Sequence, residues 1–180
     1  DDAQCCLREL RERLRKFGLE LHPEKTRLIE FGRFAAMNRQ RRKQGRPETF
    51  DFLGFTHYCG TTRGGAFALK RKSIAKRMAA KLQKVKKELR EQMHATIREQ
   101  GRWLGSVVRG WFQYHAVPSN RSRLDRFRKE VLRLWLRTLR RRSQKARQKR
   151  TWDRVARKGR LWLPPPRILH PYPSERFYVT

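Results

Sequence analysis

Apolar residues recur at three- and four-residue steps in four stretches of the chain, and that spacing puts each set on one face of a helix. Over residues 3–17 the set is Ala3, Cys6, Leu7, Leu10, Leu14 and Phe17, with Gly18 as a stop signal. A longer stripe follows Ser73, a residue type that caps helix N-termini, and runs through Ile74, Met78, Leu82, Val85, Leu89, Met93 and Ile97. The next holds Leu104, Val107, Val108, Trp111 and Phe112 and stops before Pro118. The last starts at Ser119 or Asn120 and turns Leu124, Phe127, Val131, Leu134, Trp135 and Leu139 inward. Three such helices with short links predict a bundle.

Elsewhere the pattern changes. Leu19-Glu20-Leu21 alternates like a strand, His22-Pro23-Glu24-Lys25 reads as a turn, and Thr26 to Phe31 reads as a second short strand. Between Gly32 and Thr49 the one apolar cluster is Phe34 to Met37, so an exposed basic loop, mobile without a partner, is expected. Residues 50–59 are aromatic-rich and strand-like, and Gly60 with Gly64-Gly65 supplies a turn before Ala66 to Leu69, which predicts a β-hairpin. The fold class is α+β. After Leu139 come Arg140-Arg141-Arg142 and the run Lys145 to Arg150, either an arm that orders on a polyanion or a continuation of the third bundle helix. Trp152, Val155 and Ala156 fit one short helix, and Pro164 to Pro166, Pro171 and Pro173 predict an extended tail.

Charge narrows the partners. Lys and Arg number 47 against 16 Asp and Glu in 180 residues, a net charge of +31, and the pI is near 11.6. Residues 101–180 hold 22 basic against 4 acidic residues, so the excess is weighted to the C-terminal half. Charge of this density repels itself, and its natural counter-surface is a polyanion. Mean hydropathy is −0.94, and no apolar run approaches the about 18 residues a membrane span needs, so no membrane partner is expected. Full disorder is unexpected too, because 37% of the residues are hydrophobic and 11% aromatic. Three cysteines without a CxxC pair argue against a disulfide framework and for a reducing, cytoplasmic setting. No signal peptide or initiator Met opens the chain, which reads as beginning inside a longer frame.

Three segments in order carry a resemblance: Leu19-Glu20-Leu21-His22-Pro23-Glu24-Lys25-Thr26, then Phe52-Leu53-Gly54-Phe55, then a Trp-bearing basic helical region containing Arg109-Gly110-Trp111-Phe112-Gln113-Tyr114. Together they resemble the C-terminal part of a group II intron reverse transcriptase, the intron-encoded maturase. The resemblance covers nearly the whole chain. It implies the end of a polymerase palm in residues 1–69, with short strands and a β-hairpin, a basic three-helix thumb/maturase bundle in 70–142, and a basic and Pro-rich extended tail in 143–180. In that family the late palm segments follow a Tyr-x-Asp-Asp motif that holds the catalytic metals, and this motif is absent here. Asp1 and Asp2 read instead as acids at the start of a helix, where the dipole favours them. No catalytic residue, metal ligand or cofactor is therefore assigned. Magnesium is expected for the complete polymerase, and this chain is not expected to polymerise by itself.

The resemblance also marks candidate nucleic-acid-binding residues. It puts Lys25 in the turn near the incoming nucleotide, although a solvated turn lysine is an equal reading. Leu53-Gly54 is similar to the primer-grip strand, where a Gly permits close approach of a backbone. Arg63, Lys70, Arg71 and Lys72 would then bracket a sugar-phosphate chain. On the long helix Arg77, Lys81 and Lys84 lie off the apolar stripe, and 12 bases against 4 acids over residues 50–100 leave an excess that internal ion pairing does not absorb. Trp111 and Trp135 fall on core stripes, so Tyr114 and His115 are the better exposed candidates for stacking on bases. Arg109, Arg121 and Arg140 to Arg142 complete the set, and His57, Cys59 and His115 lack zinc-site spacing. The expected function is binding of intron RNA to assist splicing, with an RNA/DNA template-primer duplex as a further partner. The alternatives are a stand-alone basic nucleic-acid-binding protein, with the third helix in a DNA groove, and a decayed, unstable relic.

Overall fold

The computed structural model describes residues 2–172, apart from the side chains of residues 145–147. Asp1 of the acid pair and Pro173 of the tail lie outside the described residues. The elements are α1 (Asp2–Arg15), α2 (Ala35–Arg41), β1 (Phe50–Phe52), β2 (Phe55–Thr61), β3 (Phe67–Ser73), α3 (Ala75–Glu91), α4 (Ile97–His115), α5 (Arg121–Arg140), α6 (Gln144–Lys149) and α7 (Trp152–Gly159). The class is α+β, with one three-stranded antiparallel sheet in the order β1-β2-β3. Two compact units are present, Asp1–Thr49 with Cys59–Ala68, and Phe50–Tyr58 with Leu69–Thr180.

In the first unit α1 ends as its sequence predicts. Gly18 adopts φ +67°, its N–H donates to Arg15 O, and Leu19 N–H donates to Leu14 O, the paired bonds of a Schellman cap. The apolar stripe is nevertheless unburied: no residue of α1 is in a core, and Phe17 is 72% exposed. The His22 turn forms, with Lys25 N–H and Thr26 N–H both donating to His22 O. The strands expected at 19–21 and 26–31 do not, because among the described residues neither has a neighbouring strand to complete a ladder. Residues 26–32 are held by scattered bonds instead, Arg27 Nη2 to Thr49 O at 3.1 Å and Gly32 N–H to Cys59 Sγ at 3.4 Å. The expected loop after Gly32 contains α2, which buries Ala35, and Arg42 at its end pairs with Glu30.

The second unit owns the core. Leu89, Leu104, Val108, Leu124, Phe127, Val131 and Trp135 are fully buried on the stripes read from the sequence, each apolar side chain of this size contributing about 1.5–3 kcal/mol by burial. Trp111 stacks on Phe127 with centroids 4.6 Å apart. The long stripe breaks after Glu91, so Met93 lies in a turn and Ile97 opens α4. The break has a local cause: Thr96 and Glu99 form a capping box, with Glu99 N–H donating to Thr96 Oγ1 at 3.2 Å and Thr96 N–H to Glu99 Oε2 at 2.8 Å. Helix α7 forms where Trp152 and Val155 suggest it, with Thr151 as its N-cap.

The basic run after Leu139 is neither an arm nor a continued helix. Helix α5 ends at Arg140, and α6 is a separate short helix. The Pro-rich stretch is extended but not free. Leu163 is 1% exposed within the bundle core, and Leu169 N–H and His170 N–H both donate to Ala116 O. Trp162 lies against α4 so closely that a Cβ added at Gly101 would fall 2.5 Å from its ring.

Candidate nucleic-acid interface

The candidate site grows from a hairpin turn. Phe52 pairs with Phe55, so the β1–β2 loop is only Leu53 and Gly54. Their φ values are +45° and +82°, the both-positive signature of a type I′ turn. Leu53-Gly54 is thus a tight turn rather than the strand expected from its apolar flanks. Two bonds anchor it: Tyr114 Oη donates to Leu53 O at 2.6 Å, and Ile74 N–H donates to Gly54 O at 3.2 Å. Gly54 is required twice over. Its φ disfavours an L side chain, and a Cβ would lie 3.1 Å from Arg77 Nη1 and 3.4 Å from Tyr114 Cε1.

Beside the turn a cleft of about 480 Å³ opens between α3 and α4. Arg77 and Lys81 form its cationic side, Val107, Gly110 and Tyr114 the other, and Trp111 and His115 its base. Tyr114 is half exposed, with Phe55 stacked on it at 5.6 Å between centroids. Sequence reasoning missed Ser106, Val107 and Gly110. Gly110 carried a signal, since glycine inside a helix costs about 1 kcal/mol relative to alanine. A Cβ there would meet nothing within 4 Å, so the position leaves the cleft wider than any other residue would.

His115 is not the exposed stacking residue expected. It is 6% exposed and lies on Trp111 at 3.8 Å between ring centroids. Ser73, in turn, does not cap α3: the N-cap is Ile74, and Ser73 is buried in a polar network with His115 and Asn120. The network encloses the imidazole. Ser73 N–H donates to Asn120 Oδ1 at 2.9 Å, so the Asn120 amide nitrogen is the group facing Ser73 Oγ and His115 O, each at 2.8 Å. Ser73 Oγ accepts that bond and is also hydrogen-bonded to His115 Nδ1 at 3.0 Å. Burial, and then the nearby Arg77 charge, lowers the His115 pKa from 6.5 to about 4. A neutral imidazole thus supports the base of the cleft.

The other candidates are dispersed. Lys25 and Arg63 are exposed in the first unit. In the second, Lys70 and Arg71 are half exposed on β3, and Lys72 Nζ sits 5.1 Å from the centroid of the Tyr58 ring, a cation–π contact. Lys84 is exposed on α3, and Arg121 opens α5. Arg109 is exposed on α4 beside Pro164 and Pro165, in a separate concavity. Arg140 Nε donates to Arg150 O at 2.8 Å and Arg142 Nη2 to Ala95 O at 2.6 Å, so these two cations serve backbone carbonyls. Burial lowers the Arg142 pKa. Leu53, Gly54, Arg77, Lys81 and Tyr114 are the predicted residues brought together.

Charge compensation is sparse. The four ion pairs among the described residues are Arg42–Glu30, Lys87–Glu91, Lys129–Asp125 and Arg133–Glu130, which leave most cations without an acid. Among the described residues no cluster of three His, Cys, Asp or Glu side chains could hold a metal ion. Cys5, Cys6 and Cys59 are free thiols, and among the described residues no helix is long and apolar enough to cross a membrane. No family model, curated protein or solved structure matches the chain.

Proposed function

We propose that this chain binds structured intron RNA and assists its splicing, as the late palm and thumb/maturase region of a group II intron reverse transcriptase. The observation that carries the reading is the meeting of Leu53-Gly54, Arg77, Lys81 and Tyr114 at one cleft. The resemblance singled out Leu53-Gly54, the base-rich face off the apolar stripe gave Arg77 and Lys81, and the exposed helix end gave Tyr114. On this reading residues 1–69 are palm, 70–142 thumb/maturase bundle and 143–180 tail.

The mechanism is stabilisation rather than covalent chemistry. Arg77 and Lys81 offset phosphate charge, the exposed part of Tyr114 offers a surface for an unpaired base, and the side-chain-free Gly110 leaves room for a backbone to approach. The folded RNA performs the transesterification, and the protein relieves the phosphate repulsion that opposes the compact RNA. Magnesium would belong to the complete polymerase.

The test is the affinity of the whole chain for folded intron RNA and for an unstructured RNA of equal length at about 0.15 M salt. A preference of at least about tenfold for the folded RNA is expected, a difference of about 1.4 kcal/mol. Equal affinities would overturn the maturase reading. Tyr114→Ala is expected to weaken binding by about 5- to 100-fold through lost stacking, whereas Tyr114→Phe retains the ring. A sequence-specific footprint on duplex DNA, unaffected by competing intron RNA, would favour a stand-alone DNA-binding protein instead.

A further inference from the structure

Towards the C-terminal ends of α3 and α5 a second, smaller concavity of about 120 Å³ lies between the two helices. Lys86 and Arg90 line it from α3, and Leu134, Arg137, Thr138 and Arg141 line it from α5 and its cap. The cations are spaced i,i+4 on each helix, a separation at which like charges destabilise a helix.

Among the described residues no acid compensates this repulsion. Among the described residues none of the four cations pairs with a carboxylate, and the acids of the same stretches are engaged elsewhere. Glu91 pairs with Lys87, Glu130 with Arg133, and Glu88 accepts from Gln92 Nε2. Cations near helix C-termini can serve the helix dipole or the free carbonyls. Arg140 and Arg142 do so, yet none of the four pocket side chains donates to a carbonyl among the described residues. Thr138 is nearly buried, and its hydroxyl donates to Leu134 O at 3.1 Å, so the floor adds no negative charge. Three guanidinium forks and one ammonium around a small hollow match a tetrahedral, multiply charged oxyanion, because planar forks bind such oxygens in pairs.

We propose that Lys86, Arg90, Arg137 and Arg141 form a binding pocket for a phosphate group. Its source is either the backbone of a nucleic-acid strand or a free phosphate, which share this chemistry. The pocket has no residue in common with the α3–α4 cleft and does not depend on RNA binding there.

The whole chain is melted in sodium phosphate and in sodium chloride of equal ionic strength, as wild type, as Arg90→Gln/Arg137→Gln, and as the charge-matched control Lys76→Gln/Arg98→Gln. Phosphate is expected to raise the midpoint of the wild type and the control, with its apparent affinity weakened at least about tenfold in the pocket variant. In chloride that variant is expected to melt at or above the wild type, because two like-charge repulsions are relaxed. An equal phosphate response in wild type and pocket variant overturns the proposal, as does no response in the wild type. A pocket variant that melts well below wild type in chloride also overturns it, since the cations would then be holding the fold. Where the pocket stands, an unstructured RNA hexanucleotide decides the source. Competition with phosphate assigns the pocket to strand phosphates, and no competition assigns it to the free anion.

Discussion

Leu53 holds φ +45°, a conformation in which an L side chain crowds its own carbonyl at a cost of about 1–2 kcal/mol. Its side chain is 66% exposed, so packing returns little of that cost. Asparagine tolerates this conformation better and keeps the turn. Leu53→Asn is therefore expected to stabilise the second unit by about 0.5–1 kcal/mol, read as a higher thermal midpoint. An unchanged or lower midpoint would show that the leucine side chain compensates the strain. His115 sets a second expectation, with its sign fixed by burial and then by the Arg77 charge. The folded ring takes up a proton only near pH 4, whereas in the unfolded chain it does so near 6.5. Between those values the unfolded state binds more protons, so this contribution is complete above about pH 6.5 and is lost as the pH falls towards 4. The loss amounts to at most about 3 kcal/mol. Denaturant titrations from pH 7 to pH 4 should show this decline, and His115→Gln should flatten it.

At the scale of elements, the Pro-rich strap and helix α4 are fitted to one another. Gly101 and Gly105 lie one turn apart, and a Cβ at either would meet Trp162, at its ring or its carbonyl oxygen. Gly101→Ala is expected to cost about 1–3 kcal/mol by overpacking. Pairing it with Trp162→Ala should recover most of that loss in a double-mutant cycle, and strict additivity would argue against the contact. The helices of this unit were legible because their apolar stripes are the ones the fold buries, as with Leu104, Val108 and Leu124. Other features depend on partners remote in the chain. Ser73 looked like a helix cap, yet its hydroxyl is used by His115 and Asn120, more than 40 residues away. Leu53 looked like part of a strand because its hydrophobicity masks a positive φ. Segment 19–21 alternates as a strand does and 26–31 reads as one, yet neither joins a ladder among the described residues. Within the candidate site the cations and Tyr114 were legible. The buried state of His115 and the width given by Gly110 follow from the packing of α3 against α4 and the turn.

At the scale of the whole molecule, a net charge of +31 with few internal ion pairs makes association with a polyanion strongly salt-dependent. Each phosphate contact on a single strand contributes about −0.7 to the log-log slope of affinity against salt, so Arg77→Gln/Lys81→Gln should make the slope shallower by about 1.4. A salt series with the variant checks this, and an unaltered slope would remove both residues from the interface. The last turn of α4 ties these scales together. Leu53 reaches it through Tyr114 across 61 residues, Ser73 and Asn120 through His115, and His170 through Gln113 across 57 residues. Helix propensity can start α4 locally, but its final turn gains its partners only after loops of this length have closed, and that closure is entropically slow. The cleft end of α4 is thereby a product of long-range closure rather than of local helix propensity.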